Sequence, residues 1–207
     1  MTLDTLLPRD DALWLEAKAY LDVRSNDVHT LISYRLARAL CAEHPDANLS
    51  VVLPAILLHD VGWKRTDPAL LTAAVGPNPT RPDLVRQHEI DGVEIAGDIL
   101  RRRRPEGVDI DAVLAIIDRH DTFKTATSLD DALVKDADKV WRFTPHGVAT
   151  IGGWFGAPAG ETLAMLEDFV LPSVLTNAGR HMARGFLAAG RGFDQSNIYL
   201  SMEGGPR

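Results

Sequence analysis

Residues 49–65 read LSVVLPAILLHDVGWKR. Ser50 supplies an N-cap, Pro54 falls near the first turn and Gly62 stands just past the end, so the pattern predicts a helix over Val51–Val61. Its sides are apolar almost throughout, yet it ends in two ionisable residues, His59 and Asp60. Such a helix buries its body in a core and carries a polar pair in with it, which is costly unless the pair finds partners. The most apolar part, Leu49 to Leu58, is well short of the ~20 residues needed to cross a bilayer.

Working outward, the period stays helical. Helices are predicted over Asp11–Leu21, over Asp27–Glu43 with Asn26 as cap, and from Pro82 to about Arg103. Asp109 or Asp111 opens another that ends near His120. Ser128, with Asp131 as a capping-box partner, opens one from Leu129 to about Phe143. The proline-bearing stretch Thr66–Arg81 predicts a loop or broken turns, and Thr144–Gly160 predicts a loop rich in Gly and Pro. Two further helices are expected at Glu161–Leu171 and Pro172–Leu187, with an irregular tail after Gly190. The alternation of a sheet is missing. The expected fold is therefore all-α, a single-domain helical bundle: an N-terminal helix in 1–24, a core in 25–143, and a C-terminal loop and helices in 144–207.

The chain has 207 residues, 45% hydrophobic and 25% charged, an ordinary globular composition. Its net charge of −7 disfavours a stable nucleic-acid partner or an anionic membrane. Cys41 is the only cysteine, so disulfide and thiolate-zinc chemistry are excluded. The start, MTLDTLLPRDD, lacks a basic segment followed by an apolar one, and the expected location is the cytoplasm. Assembly into a homo-oligomer is compatible with the sequence.

Residues seven or eleven apart on a helix lie within roughly 20° of each other. His29 therefore lines up with Leu36 and Leu40, His59 with Val52, and His88 with Ile95 and Ile99. His120 lines up with Val113, and Asp138 lies near Val134. A single histidine on an apolar face is ordinarily a core residue with its own partner. Four at once, with a carboxylate, need four unrelated partners or one shared partner, and a metal centre is the economical one. Nitrogen and oxygen donors suit divalent iron, manganese, zinc, cobalt or nickel. Asp60 adds a carboxylate able to bridge two ions. Each gap between successive candidates is about one helix plus one loop, so the ligands converge from separate helices.

The ordered set of His29, the pair in LLHDVG (His59 and Asp60) and Asp138 in KDADKVWRF resembles the HD superfamily of metal-dependent phosphohydrolases over about residues 25–143. His88 in RQHEIDGVEIAGDIL and His120 in AIIDRHDTF resemble the extra ligands of its two-metal branch, which includes dinucleoside polyphosphate hydrolases and cyclic dinucleotide phosphodiesterases. The resemblance implies one ion on His29, His59, Asp60 and Asp138, and a second on His88 and His120 with Asp60 bridging. Asp136 rivals Asp138, which is preferred for its Ala-Asp-Lys context. The implied activity is hydrolysis of a phosphate ester or anhydride of a small phosphorylated substrate, a nucleotide among the candidates, by a metal-activated hydroxide. The same cage in oxygenases such as myo-inositol oxygenase makes di-iron oxygen chemistry the alternative, and a non-catalytic regulatory protein is a more distant one.

Phosphate recognition needs cations. Lys64 and Arg65 follow the His-Asp pair within a turn, and Lys139 and Arg142 flank Asp138. Lys64 and Arg142 are the leading candidates, with Lys64 expected to act in catalysis and Arg65 to bind substrate. Lys124 follows His120. Any one of them taken alone reads more readily as a solvated surface charge. Arg101–Arg104 reads as a solvated helix end. Asp121 is divided between supporting the site and lying on the surface. His44 and His181 read as structural and surface residues, His146 as a loop residue, and Trp63, Trp141 and Trp154 as core.

Overall fold

A computed structural model describes residues 6–76 and 78–201, with the side chains of 197 and 198 left aside. Among the described residues the regular structure is entirely helical. The α-helices are α1 (Pro8–Ala17), α2 (Asn26–Ala42), α3 (Leu49–Leu58), α4 (Asp83–Arg103), α5 (Ile110–Ile117), α6 (Leu129–Trp141), α7 (Pro145–Phe155), α8 (Ala159–Phe169) and α9 (Asn177–Ser201). Short 3₁₀ segments follow α1, α3 and α8, and another spans Pro68–Ala74.

The apolar helix α3 is the centre of the bundle. Val52, Leu53, Ala55, Ile56, Leu57 and Leu58 are fully buried, and α3 packs on α1, α2, α5 and α6. It begins two residues before the expected start, because Asn48, not Ser50, is the N-cap: its Oδ1 accepts from the Ser50 amide at 2.9 Å. It ends at Leu58, with His59 as its C-cap. The chain then tightens into the 3₁₀ segment Val61–Arg65, which lies against α4. Gly62 makes that approach possible: a Cβ there would collide with the His88 carbonyl and the Gly92 amide. Backbone contact at Gly62 therefore draws α4, and His88 with it, up to the His59–Asp60 pair.

Two longer stretches depart from what the sequence pattern predicts. Thr144–Gly160 is not a loop, because it contains α7. Thr144 Oγ1 caps the helix by accepting from Gly147 N at 3.1 Å, Pro145 opens it, and Gly156 ends it at φ 65°. Gly147 is there for packing, since a Cβ would strike the Trp141 carbonyl. The final helix starts at Asn177 and runs through the expected irregular tail to Ser201. Pro172 lies in a 3₁₀ turn ahead of it. Helices α7, α8 and α9 stack in sequence, and α9 also lies on α6. No described helix is long and apolar enough to cross a membrane.

Candidate metal centre

Five separate segments deliver the polar groups to one point in the bundle. His29 comes from the first turn of α2, His59 and Asp60 from the end of α3, and His88 from α4. His120 lies in the turn after α5, and Asp138 on α6. All six are buried. His29 Nε2 and His59 Nε2 are 3.0 Å apart, and His88 Nε2 and His120 Nε2 are 3.2 Å apart. Asp60 lies between the two pairs. Its Oδ2 is 3.4 Å from His29 Nε2 and 3.5 Å from His59 Nε2, while its Oδ1 is 3.7 Å from both His88 Nε2 and His120 Nε2. Asp138 Oδ1 completes the first group, 3.4 Å from His29 Nε2 and 3.8 Å from His59 Nε2.

The donor set fits cations. His59 Nδ1–H donates to the Ile56 carbonyl at 2.8 Å, and His120 Nδ1–H donates to the Ile117 carbonyl at 2.9 Å. Each bond fixes a tautomer in which Nε2 offers a lone pair to the site. Two ligand nitrogens about 2.1 Å from one ion and at right angles lie about 3 Å apart, the spacing seen in both histidine pairs. The His29 Nδ1 faces the Ser33 hydroxyl at 3.4 Å. The buried His88 Nδ1 has no hydrogen-bond partner among the described residues. The Trp63 ring holds that imidazole instead, stacked at 4.0 Å with an 11° interplanar angle.

The electrostatics follow from burial and crowding. Burial pushes His29 and His88 down to about 4. Burial also opposes charge on His120, but Asp60 and Asp121 outweigh it and raise the group to about 9; His59 is raised as well, against burial, by Asp60 and Asp138. Asp60 and Asp138 resist the upward push of burial and stay below the carboxylate range, Asp60 through the imidazoles around it and Asp138 chiefly through Arg142. Without an ion, the carboxylates recruit protons onto His59 and His120. A bound cation would take over that counter-charge.

Asp121 lies at the site: its Oδ2 is 3.8 Å from His88 Nε2 and 3.9 Å from His120 Nε2, and its Oδ1 is 3.8 Å from Arg142. His88, His120 and Asp121 form a group able to hold an ion, as do His29, His59 and Asp138, and His59, Asp60 and His120. The turn carrying His120 and Asp121 is held by Glu89, fully buried on α4. Its Oε1 accepts the Asp121 and Thr122 amides at 2.9 and 2.8 Å, and its Oε2 accepts the Thr122 hydroxyl at 2.7 Å. The sequence reading missed Glu89; its only signal was adjacency to His88. Asp136 faces away and accepts the Leu175 and Thr176 amides, both at 2.7 Å, so it anchors the chain ahead of α9.

The cations divide. A cavity of about 340 Å³ opens beside the cluster, and Arg24, Lys124, Lys139 and Arg142 line it. Arg142 donates to Asp138 Oδ2 at 3.0 Å. Lys64 and Arg65, expected at the phosphate, do not line the cavity. Lys64 pairs with Asp22, and Arg65 pairs with Glu94 at 2.6 Å and Asp91 at 3.2 Å. The tight 3₁₀ turn after Asp60 carries both to the outer surface, where their side chains are 38% and 43% exposed. In their place stands Arg24, which the sequence reading passed over because it precedes α2. Arg24 and Ser25 are both left-handed, at φ 55° and 61°, a conformation that is costly for residues with a side chain. Trp63 and Trp141 are buried in the core, as expected, with Trp154 packed against it, and all three also line the cavity. His44 bonds the Leu40 carbonyl at 2.8 Å, His146 accepts from Trp141 Nε1 at 3.2 Å, and Arg102 and Arg103 pair with Glu16.

A family model for the HD domain matches residues 26–142, more than half of the chain. No curated protein and no solved structure matches it.

Proposed function

The chain belongs to the HD domain family, and from that premise we propose that it is a metal-dependent phosphohydrolase acting on a phosphate ester or anhydride through two divalent ions. The observation that carries this reading is the position of Asp60, one oxygen toward each histidine pair. His29, His59 and Asp138 would hold one ion, His88 and His120 the other, and Asp60 both. Bound ions supply Lewis acidity and bring the pKa of water down toward neutrality. The protein's own groups do the rest. Arg142 and Arg24 bring positive charge to the cavity in which a phosphoryl group would carry its charge. The imidazoles are buried, and the cavity lined by His29, Asp60 and Asp138 is the side from which water and substrate reach the cluster. No serine or cysteine nucleophile is required. The four cations in the cavity favour an anionic substrate over the oxygen chemistry that the same ligands could serve.

The test is elemental analysis of reconstituted protein with a panel of phosphorylated substrates. Two ions per chain and manganese-supported turnover are expected. Asp60→Ala should abolish both while leaving the helical signal in place. Near wild-type turnover in Asp60→Ala, or oxygen uptake by the iron-loaded protein without phosphate release, would overturn the reading.

A further inference from the structure

The cavity has two unlike ends, and the family match covers only one of them. Its polar floor comes from residues 26–142, the segment matched. Its far wall comes from beyond that segment: Ile151 on α7, Met165, Leu166 and Phe169 on α8, and Val170. Ser173 is the only polar residue that the chain beyond Arg142 adds to the lining, and its hydroxyl already donates to the Val170 carbonyl at 2.7 Å. Phe155 and Phe169 are 43% and 65% exposed at this wall, a cost in water that an apolar ligand would relieve.

At the junction of the two ends stands Arg24, also outside the matched segment. Its guanidinium carbon lies over two indole rings, 4.7 Å from the Trp63 ring centre and 4.5 Å from that of Trp154. Among the described residues no carboxylate or carbonyl accepts a hydrogen bond from it. A guanidinium has five N–H donors, and its edge is what remains to meet a planar or tetrahedral anion. Asn26 lines the same cavity, is 4% exposed, and has an Nδ2 with no hydrogen-bond partner. Asn26 is buried and Arg24 half-buried, and two unpartnered donors facing one cavity suit an acceptor from outside the chain.

Resting on the phosphohydrolase reading, we propose that the substrate is a small phosphate ester with an apolar body, its phosphoryl oxygens on Arg24 and Asn26 and its body on the α7–α8 wall. On that wall a sugar or nucleoside body would meet only the Ser173 hydroxyl, already donating to Val170, and the Trp154 indole N–H, too few partners to replace its hydration. The ester is of the aryl or branched-alkyl class, in keeping with a 340 Å³ space.

Calorimetric titration of the ion-loaded protein with non-hydrolysable phosphonates tests this apart from turnover. Phenylphosphonate should bind about 30-fold more tightly than methylphosphonate, from burial of the ring. Ribose 5-phosphate should bind no more tightly than methylphosphonate. The double variant Met165→Ser, Phe169→Ser should erase most of the phenyl advantage and leave methylphosphonate binding unchanged. Phe193→Ser, at an exposed phenylalanine away from the cavity, should change neither. Arg24→Ala should weaken both phosphonates alike, by roughly 10- to 100-fold, and Arg24→Lys should restore only part. Equal affinity for the two phosphonates, no binding of either, or preference for ribose 5-phosphate would overturn the proposal. Turnover of phenyl phosphate reads the hydrolase assignment separately. Tight phenylphosphonate binding without turnover removes that assignment and supports the apolar subsite, whereas turnover of ribose 5-phosphate alone does the reverse.

Discussion

Arg142 and Lys64 are both basic, both close in sequence to a candidate ligand, and differently placed. Arg142 lies one helical turn from Asp138, on the same face, and reaches into the cavity. Lys64 is separated from Asp60 by a 3₁₀ turn that rotates it to the surface and onto Asp22. Arg142→Ala should lower kcat/KM by roughly 10- to 150-fold, the worth of a charge-assisted hydrogen bond in the transition state. Lys64→Ala should change it less than about twofold, since an exposed ion pair contributes little. Steady-state kinetics on one phosphorylated substrate decides both. A large effect of Lys64→Ala would restore the phosphate role expected from its position in the sequence. His29 and His88 were legible because regular helices repeat every 3.6 residues, so an odd polar residue on an apolar face stands out; His59 and His120 lie just past the ends of α3 and α5 and were reached by extending that pattern. Arg24 was not legible, because it precedes α2 in a left-handed stretch where no periodicity gives a side chain a direction.

Among elements, the turn after α5 depends most on a residue elsewhere. His120 and Asp121 lie beyond the helix, and Glu89 of α4 accepts three hydrogen bonds from that turn. Glu89→Ala would leave two half-buried amides and a hydroxyl without an acceptor, a loss of about 2–3 kcal/mol. The ion held by His88 and His120 should then be depleted before the one held by His29, His59 and Asp138. Urea unfolding and ion counting on the same sample check the two effects, and equal loss of both ions would refute the assignment of this turn to one of them. Helices α2 to α6 were legible from apolar spacing, with errors of a few residues at their ends. Ser128 caps α6 as read and Asp109, one of two candidates, caps α5, whereas Ser25 and Asn48, not Asn26 and Ser50, precede α2 and α3. Helix α7 and the later half of α9 were not. Their glycines read as loop punctuation, but Gly147 permits a close approach to the Trp141 carbonyl, and Gly190 packs on Leu163. That need is set by tertiary contact, which local sequence does not carry.

At the scale of the molecule, the cluster imposes a pH dependence on the ion-free protein. His29 and His88 are held near 4, below the ordinary value of 6.5. As pH falls from 6.5 towards 4, the unfolded chain takes up protons that the folded one refuses, so stability falls. His120 is raised to about 9. Its contribution is complete below 6.5 and is lost as pH rises through 9, when the folded protein gives up a proton that the unfolded chain has already released. The ion-free Tm should therefore peak near 6.5 and decline on both sides. Loading with ions should raise Tm and flatten the alkaline decline, because the cation replaces the proton on His120. Thermal melts across pH, with and without a chelator, measure this. An alkaline arm that persists unchanged after loading would show that His120 is not a ligand.

The candidate ligands that meet at Asp60 lie far apart in the chain, from His29 on α2 to Asp138 on α6. An ion shared among them is a cross-link that closes several long loops at once, and the chain entropy of closing them is spent before the last ligand arrives. No fragment lacking α2 or α6 presents both ends of the first group, so high-affinity capture belongs to the end of folding and not to its start. Ion retention under a chelator wash is thus a checkpoint on assembly: a chain that keeps its ions has brought α2 through α6 into register.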